Sequence, residues 1–190
     1  MRVQIISDPE VSILELALQN APARDATAIG LLLYCGLRCH EVCDLNWQDV
    51  FQGEWICTAV RVKTSHEPVN HPRVVDIPAK LEKLLKRYQL EAMAGMPAAA
   101  PEYPLFRSIR RKGRIQNRDL ERICHKITAA ALGKSYPPRT LRHTYATRLM
   151  RFTNIRVVQE LLGHRSLQST QIYTHPSSDD CRVAVNQAFK

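Results

Sequence analysis

The stretch 137–175 constrains this chain most, because it places strongly polar side chains in an apolar helical pattern that is repeatedly interrupted. Arg142 lies among apolar residues spaced three and four apart, which predicts an amphipathic helix. A second apolar run ends at Gly163, a typical helix terminator, and His164 follows directly. Tyr173 lies nine residues further on. The pattern predicts short packed helices with an arginine, a histidine and a tyrosine at their rims.

These three side-chain types together indicate phosphate chemistry. The guanidinium of an arginine is always charged and presents a planar fork of donors that fits phosphate oxygens. A tyrosine can act as a nucleophile that forms a covalent intermediate with its substrate. Neither group requires a metal, so we expect no metal ion and no other cofactor.

Three boxes in the sequence resemble those of the tyrosine recombinase (phage integrase) family. Residues 141–147 read LRHTYAT, which is similar to the family's LRHTFAT box. Residues 161–164 and 171–175 resemble its LGH and xxYxH ending, and the run 36–45 resembles its first arginine box. The resemblance implies the catalytic-domain fold of these DNA breaking and rejoining enzymes, which is mainly α with a small three-stranded antiparallel β-sheet.

The resemblance also implies a mechanism. Tyr173 would attack the scissile phosphate of double-stranded DNA to give a 3′-phosphotyrosine link, and religation to another strand would complete site-specific recombination without metal or ATP. Two arginines would clamp the phosphate, a lysine would protonate the leaving oxygen, and a histidine would contact the phosphate or orient the clamp. The candidate catalytic residues are Arg38, Lys63, Arg139, Arg142, His164 and Tyr173.

One position departs from the family pattern. The family box usually reads His-x-x-Arg, with a histidine that assists proton removal, whereas this chain has Arg139 three residues before Arg142. An arginine is not a general base near neutral pH, but its charge can bind the phosphate or lower the pKa of the tyrosine. Type IB topoisomerase-like or telomere-resolvase-like cutting and resealing stays open, as does a non-catalytic DNA-binding relative. We interpret His143 as structural support.

The lysine is assigned from a change of pattern between residues 49 and 78. β-forming residues replace the helical periodicity there and predict three antiparallel strands, with a long polar connection, 63–72, between the last two. In the family that this chain resembles, a catalytic lysine lies on this hairpin, and Lys63 begins the connection. The predicted strand runs are 50–51, 55–62 and 74–77.

Positive charge indicates a polyanionic partner. The 190-residue chain has 27 Lys and Arg against 18 Asp and Glu, a net charge of +9, and such an excess attracts nucleic acid. The acidic residues form no cluster of the kind that holds magnesium in a metal-dependent nuclease. Basic residues interleaved with isoleucines after residue 106 suit contacts with the DNA backbone. The predicted DNA-binding residues are Arg107, Arg110, Arg111, Lys112 and Arg114.

The cysteines and the N-terminus bear on the compartment. Six cysteines are scattered without a Cys-x-x-Cys pair, and Cys35, Cys39 and Cys43 recur at steps of four around His40. That spacing allows a zinc site, but Gly36 interrupts the helix, so we favour buried free thiols. No long apolar run and no signal-peptide pattern is present. We therefore expect a reducing, cytoplasmic location without membrane contact.

Domain organisation is predicted from the same boxes. Residues 1–176 form the catalytic domain, and residues 177–190 form a tail helix that either docks on a neighbouring subunit or folds back on its own domain. The resemblance implies a tetramer on two duplexes and an N-terminal DNA-clamping domain, which we expect to be absent from this chain.

Helix boundaries follow from capping signals. Ser7 or Asp8 caps a first helix whose inward side includes Leu14, Leu16 and Leu18. Thr140 is expected to cap the helix of Arg142, which places that arginine in the first turn, where free backbone amides favour an anion.

Overall fold

The computed structural model describes residues 4–62, 73–93, 101–109 and 113–163. Within these ranges the chain is mainly helical with short antiparallel strands, as predicted. No helix in these ranges is both long and apolar enough to cross a membrane. The elements are α1 Asp8–Asn20, α2 Ala23–Tyr34, α3 Cys39–Asp44, a 3-10 turn Trp47–Asp49, β1 Phe51–Gln52, β2 Trp55–Ile56, β3 Ala59–Val62, β4 Arg73–Asp76, α4 Ala79–Met93, α5 Asn117–Leu132, α6 Pro138–Leu149 and α7 Ile155–Leu162.

Helix α1 begins where the capping signal predicts. The backbone N–H and the hydroxyl of Ser7 donate to Glu10 Oε2 at 3.0 and 2.6 Å, which anchors the first turn. One expected core residue is wrong: Leu16 is 63% exposed, whereas Leu14 and Leu18 are buried. Leu16 is two positions from each of them and therefore lies on the opposite side of the helix.

Helix α2 is the central element of the core. Its residues from Ala26 to Leu33 are all buried, and it packs against α4 and α6. The approach of α4 depends on Gly30, because a Cβ there would lie 2.9 Å from Leu84 Cδ1. Thr27 donates its hydroxyl to the Leu84 carbonyl at 3.1 Å in the same contact. The helix that precedes the first arginine box is thus fixed in the middle of the domain.

The strands form two antiparallel pairs where one three-stranded sheet was predicted. β1 pairs with β2, and β3 pairs with β4, with Val62 opposite Arg73. The long predicted run 55–62 is divided at Cys57 and Thr58. Cys57 N–H donates back to Val50 at 2.8 Å, while the Thr58 carbonyl accepts from Ile77 at 2.9 Å. The run therefore changes partner halfway along, which breaks a continuous ladder into two.

Helix α6 begins earlier than predicted. It starts at Pro138, with Pro137 before it, so Thr140 is the third residue of the helix and not its cap. Proline suits the first helical position because it has no N–H to leave unpaired. Arg142 consequently lies at the start of the second turn, beyond the free amides. The expected anion site made by those amides around Arg142 is therefore wrong, and the geometry of its side chain has to explain its role.

Candidate active site

Arg38 is held by a carboxylate one helical turn away. It precedes α3, and its backbone N–H and Nη1 donate to the two oxygens of Glu41 at 2.6 and 2.8 Å. Glu41 has 1% of its side chain exposed, whereas Arg38 has 34%. The buried carboxylate therefore fixes the arginine from one side, while about a third of the arginine side chain stays exposed.

Arg142 reaches the same region from α6. Its Nη1 donates to the Gly36 carbonyl and lies 3.7 Å from Glu41 Oε2, and its Nη2 donates to the Leu162 carbonyl at 2.7 Å. Gly36 has a φ of +59°, and a Cβ there would lie 2.2 Å from a ring carbon of Tyr145. Both the backbone conformation and the lack of space require glycine. The turn before Arg38 is thereby shaped to accept Arg142.

The two arginines meet at the C-terminal end of α7. Arg38 Nη2 donates to the Gly163 carbonyl at 3.0 Å, one residue beyond the Leu162 carbonyl that Arg142 uses. The last carbonyls of a helix lack intrahelical partners and carry the negative end of its dipole. Asn154 caps the other end of α7 by accepting from two backbone N–H groups, and Gly163 ends it with a φ of +62°. The predicted helix and its glycine stop are thus confirmed.

A third arginine belongs to this cluster and was missed by the sequence reasoning. Arg73 begins β4, donates Nη2 to Glu41 Oε2 at 2.6 Å and donates Nη1 to the Leu161 carbonyl. Its side chain is 6% exposed. The alternation of β4 is the signal that could have found it, since Arg73 shares the buried face of the strand with Val75. We call Arg38, Arg73, Arg142 and Glu41 the arginine cluster.

Glu41 stays ionised at the centre of the arginine cluster. Burial acts to raise its pKa, but the charges of Arg73, Arg142 and Arg38, together with the Arg38 N–H, bring the net pKa below its ordinary value. Burial lowers the pKa of Arg73, and the Glu41 charge opposes that change. One negative charge thus faces three positive ones. The cluster carries a surplus of two positive charges, which suits a phosphodiester.

Arg139 does not join the arginine cluster through any described contact. It is exposed on α6 and donates Nε to His143 Nε2 at 3.0 Å. Burial, together with the charges of Arg139 and Arg142, lowers the pKa of His143 to about 4. The imidazole is therefore neutral at pH 7 and accepts a hydrogen bond from Arg139. This contact agrees with the reading of His143 as a supporting residue.

Three predicted catalytic residues, Lys63, His164 and Tyr173, lie outside the described residues. Their neighbours in the chain are described for the first two. Lys63 directly follows Val62, the last residue of β3, and His164 directly follows Gly163. The ends of β3 and α7 therefore bring the chain to the arginine cluster at both points, while the roles of the three side chains stay predictions.

The described ends of the predicted DNA-binding segment pair with each other, because Arg107 and Arg114 form an isolated antiparallel bridge. Ser108 N–H donates to the Gly113 carbonyl at 3.0 Å, and Arg107 is exposed. Arg114 turns inward, where its guanidinium donates to the Cys43 and Leu45 carbonyls and to Asn46 Oδ1 at 2.6–2.9 Å. This placement argues against the DNA contact predicted for Arg114, because its donors already hold the end of α3. The remaining predicted contacts, Arg110, Arg111 and Lys112, lie outside the described residues.

The described cysteines are free thiols. Cys35, Cys43 and Cys124 are buried, and Cys39 and Cys57 are partly buried. Cys35 lies before the Gly36 turn, so it does not share a helix with Cys39 and Cys43. The described ranges contain no group of three or more His, Cys, Asp or Glu residues placed to hold a metal ion.

Comparison with known proteins matches almost the whole chain. Residues 5–179 match the model of the phage integrase family. The tyrosine recombinase XerD of Pseudomonas aeruginosa is 37% identical over 153 residues, which cover 80% of this chain and 49% of that protein. A tyrosine recombinase of Pseudothermotoga lettingae is 33% identical over 180 residues, which cover 94% of this chain and 58% of that protein. The chain spans about half the length of the curated relatives it matches.

Solved structures share the arrangement of elements. XerA recombinase superposes with a TM-score of 0.78 at 29% identity, covering 98% of this chain and 65% of that one. XerH recombinase bound to its difH substrate before cleavage superposes with a TM-score of 0.76 at 22% identity, covering 100% of this chain and 56% of that one. The fold class predicted from the sequence is confirmed.

Proposed function

Because this chain belongs to the phage integrase family of tyrosine recombinases, we propose that it is the catalytic part of a site-specific DNA recombinase. The observation that carries the proposal is the convergence of Arg38 and Arg142 on the end of α7, directly before His164. Family membership over residues 5–179 supports the same reading. The substrate is double-stranded DNA, because the arginine cluster has a surplus of positive charge in a chain of net charge +9.

The proposed reaction is a transesterification at one phosphodiester. The phenolic oxygen of Tyr173 releases its proton to solvent water and forms a bond to phosphorus, and the bond from phosphorus to the 5′ oxygen breaks. The bonding electrons go to that oxygen, which takes a proton from the Lys63 ammonium. The product is a 3′-phosphotyrosine and a free 5′-hydroxyl. Attack of a 5′-hydroxyl from another strand reverses the step and rejoins the DNA, so the reaction consumes no ATP.

Arg38 and Arg142 act on the developing charge. Negative charge grows on the non-bridging oxygens as Tyr173 attacks, and fixed cations in a water-poor site stabilise it strongly. Loss of one such donor typically lowers the rate about 100- to 1,000-fold. Glu41 keeps both guanidiniums in place before DNA arrives, so they need little reorganisation. His164 adds a hydrogen bond to the same phosphate.

Arg139 changes the proton transfer at Tyr173. A guanidinium does not accept the phenolic proton near neutral pH, so the proposed role of Arg139 is to stabilise the phenolate through its charge. The single contact described for its Nε is the neutral His143. The presence of Arg139 where the family usually has a histidine also favours a second candidate function, that of a non-catalytic DNA-binding relative. Cutting and resealing without strand exchange is the third.

Covalent trapping tests the proposal. The protein is incubated without divalent metal with nicked suicide duplexes made from the DNA that flanks its gene, and adducts are separated on a denaturing gel. We expect an adduct that Tyr173→Phe abolishes while DNA binding is retained. Tyr103→Phe is the matched control, since Tyr103 is a partly exposed tyrosine outside the arginine cluster. An adduct of unchanged yield from Tyr173→Phe contradicts the assignment of Tyr173 as the nucleophile.

The same gel separates the alternatives. A protein that binds the duplexes without any adduct, and that gains one in Arg139→His, is a relative disabled at that position. An adduct that is resealed to the original strand but never joined to a second duplex indicates topoisomerase-like or resolvase-like action. Products joined to a second duplex support recombination. We further propose that the protein assembles as a tetramer on two duplexes and acts on DNA in a reducing cytoplasm. Sedimentation of the protein–DNA complex tests the proposed tetramer.

A further inference from the structure

Arg73 joins separate parts of the fold within the arginine cluster. It lies at the start of β4, contacts Glu41 of α3 and donates to the Leu161 carbonyl of α7. Its stem packs against the turn after α7, because a Cβ on Gly163 would lie 3.0 Å from Arg73 Cδ and 3.1 Å from its Nε. One buried side chain on β4 therefore links that strand to α3 and to the end of α7, which are distant in sequence.

We propose that Arg73 is a positioning residue for the reaction, an inference that rests on the proposed function. It neutralises Glu41 and fixes the paired ends of β3 and β4 against the end of α7, so that the two clamping arginines and the ends of these elements keep one relative geometry. Arg73 does this without contacting DNA.

The distances from the Glu41 carboxylate to the arginines support this role. Arg73 Nη2 is 2.6 Å from Glu41 Oε2, whereas Arg142 Nη1 is 3.7 Å from the same oxygen. Arg73 thus takes the close position on that oxygen. Without it, the buried carboxylate would have an unfilled acceptor beside Arg142 and would draw that guanidinium towards itself. The clamp would then lose the position from which it meets a phosphate.

The register of the β3–β4 hairpin supplies the second link. Arg73 is paired with Val62, so the two residues close the base of the connection that begins with Lys63. A side chain anchored at this base limits how far the ends of β3 and β4 can move relative to α7. The proposed acid and the proposed clamp thus depend on the same residue.

Stability alone does not account for a buried arginine at this position. Buried ion pairs are often replaced by well-packed apolar residues without loss of stability. Arg73 Nε is also buried and has no hydrogen-bond acceptor among the described residues, which carries a cost in free energy. A residue kept for packing only would avoid that cost, so the arginine is better explained by the geometry it imposes.

The test compares Arg73→Met and Arg73→Lys with the matched control Arg61→Met. Arg61 is an exposed arginine on the partner strand of the same hairpin. Three quantities are measured for each protein: the single-turnover rate of adduct formation at saturating suicide duplex, the Kd for that duplex and the Tm. Hydrogen exchange of the DNA-free protein is followed in the peptides that cover α7 and the hairpin.

We expect both Arg73 variants to form the adduct about 100-fold more slowly, the loss typical of a displaced catalytic geometry, with a Kd close to that of Arg61→Met. Exchange should become faster at the end of α7 in both. The rate at saturating DNA separates positioning from a purely structural role, since a folded protein that only lost stability keeps its rate. If Arg73→Met does not fold, Arg73→Lys carries the comparison.

Two outcomes overturn the inference and are distinguishable. Adduct formation at the wild-type rate in folded Arg73→Met or Arg73→Lys overturns the positioning role and leaves the proposed function standing. A wild-type protein that binds the duplexes but forms no adduct overturns the proposed function, and the positioning role fails with it.

Discussion

Two ionic regions of this domain use the same kinds of side chain with opposite consequences. In the arginine cluster, Glu41 is almost fully buried and holds guanidiniums from three parts of the chain. At the start of α1, Asp8 is 49% exposed and pairs with Arg151 at 2.5 Å and Arg148 at 3.5 Å. Water and salt screen the second region but not the first. Of these two regions, the arginine cluster therefore keeps the stronger electrostatic interactions, because the fold excludes solvent from it.

The largest effect is expected for Glu41→Gln, which removes the common partner of the arginine cluster. Three guanidiniums would then repel one another in a buried place, and breaking a buried pair typically costs about 3–5 kcal/mol. Urea unfolding at pH 7 measures the free energy of unfolding, with Asp8→Asn as the matched carboxylate control. A loss in Glu41→Gln as small as in the control would remove the distinction between the two regions.

Gly36→Ala tests the backbone that serves the arginine cluster. Alanine in the left-handed region costs about 1–2 kcal/mol, and the overlap with the Tyr145 ring adds about 1–3 kcal/mol. Gly53→Ala is the control, because Gly53 has a similar φ of +62° but nothing within 4 Å of an added Cβ. Urea unfolding should give a clearly larger loss for Gly36→Ala. Equal losses would mean that the contact with Tyr145 does not constrain the turn.

The pH dependence of stability tests whether His143, the residue next to Arg142, is neutral in the folded protein. The pKa of His143 is lowered from 6.5 to about 4 in the folded protein, so the unfolded chain binds the proton more readily between these values. Stability should therefore fall as the pH drops from 6.5 towards 4. His143→Gln should flatten that slope in urea unfolding between pH 7 and 5, and the exposed His125→Gln should not. A slope unchanged by His143→Gln would contradict the conclusion that the partly buried imidazole is neutral in the folded protein.

The surface carboxylate Glu10 titrates lower and should not interfere with that pH window. Hydrogen bonds from Ser7 lower the pKa of Glu10 from 4.5 to about 2, with a further contribution from Lys134. The stability that Glu10 contributes is present above pH 4.5 and is lost as the pH falls through about 2. The contributions of His143 and Glu10 to stability are thereby separated by pH.

The smallest effect is expected for Asp8→Asn. An exposed ion pair is worth about 0–1 kcal/mol, and the difference from wild type should shrink further in 1 M salt because the charges are screened. Urea unfolding with and without added salt measures both quantities. A loss of several kcal/mol that persists in high salt would show that exposure is not what separates Asp8 from Glu41.

Local signals in the sequence predicted most of the elements. Ser7 and Glu10 mark the start of α1, and Gly163 marks the end of α7. Each of these depends on a few neighbouring residues and on one periodicity. The family boxes likewise identified Arg38 and Arg142, which the fold brings to the same carboxylate.

Competing local signals and contacts between distant residues decided the rest. The start of α6 was predicted too late, since Thr140 gives a capping signal that the preceding prolines override. Arg114 was read as a DNA contact because it lies in a basic run, but its donors fill acceptors at the end of α3. The sequence does not distinguish a charged residue that faces water from one that donates to a backbone carbonyl.

The sequence by itself determined the helical elements, the family and the identity of the candidate catalytic residues, because these follow from short-range periodicity and motif spacing. Only the tertiary structure decided that Arg73 joins the arginine cluster and that Arg114 donates to acceptors at the end of α3. The physical reason is that the energy of a charge depends on its burial and its partners. Those partners, Glu41 and the Leu161 carbonyl for Arg73, lie 32 and 88 residues away along the chain.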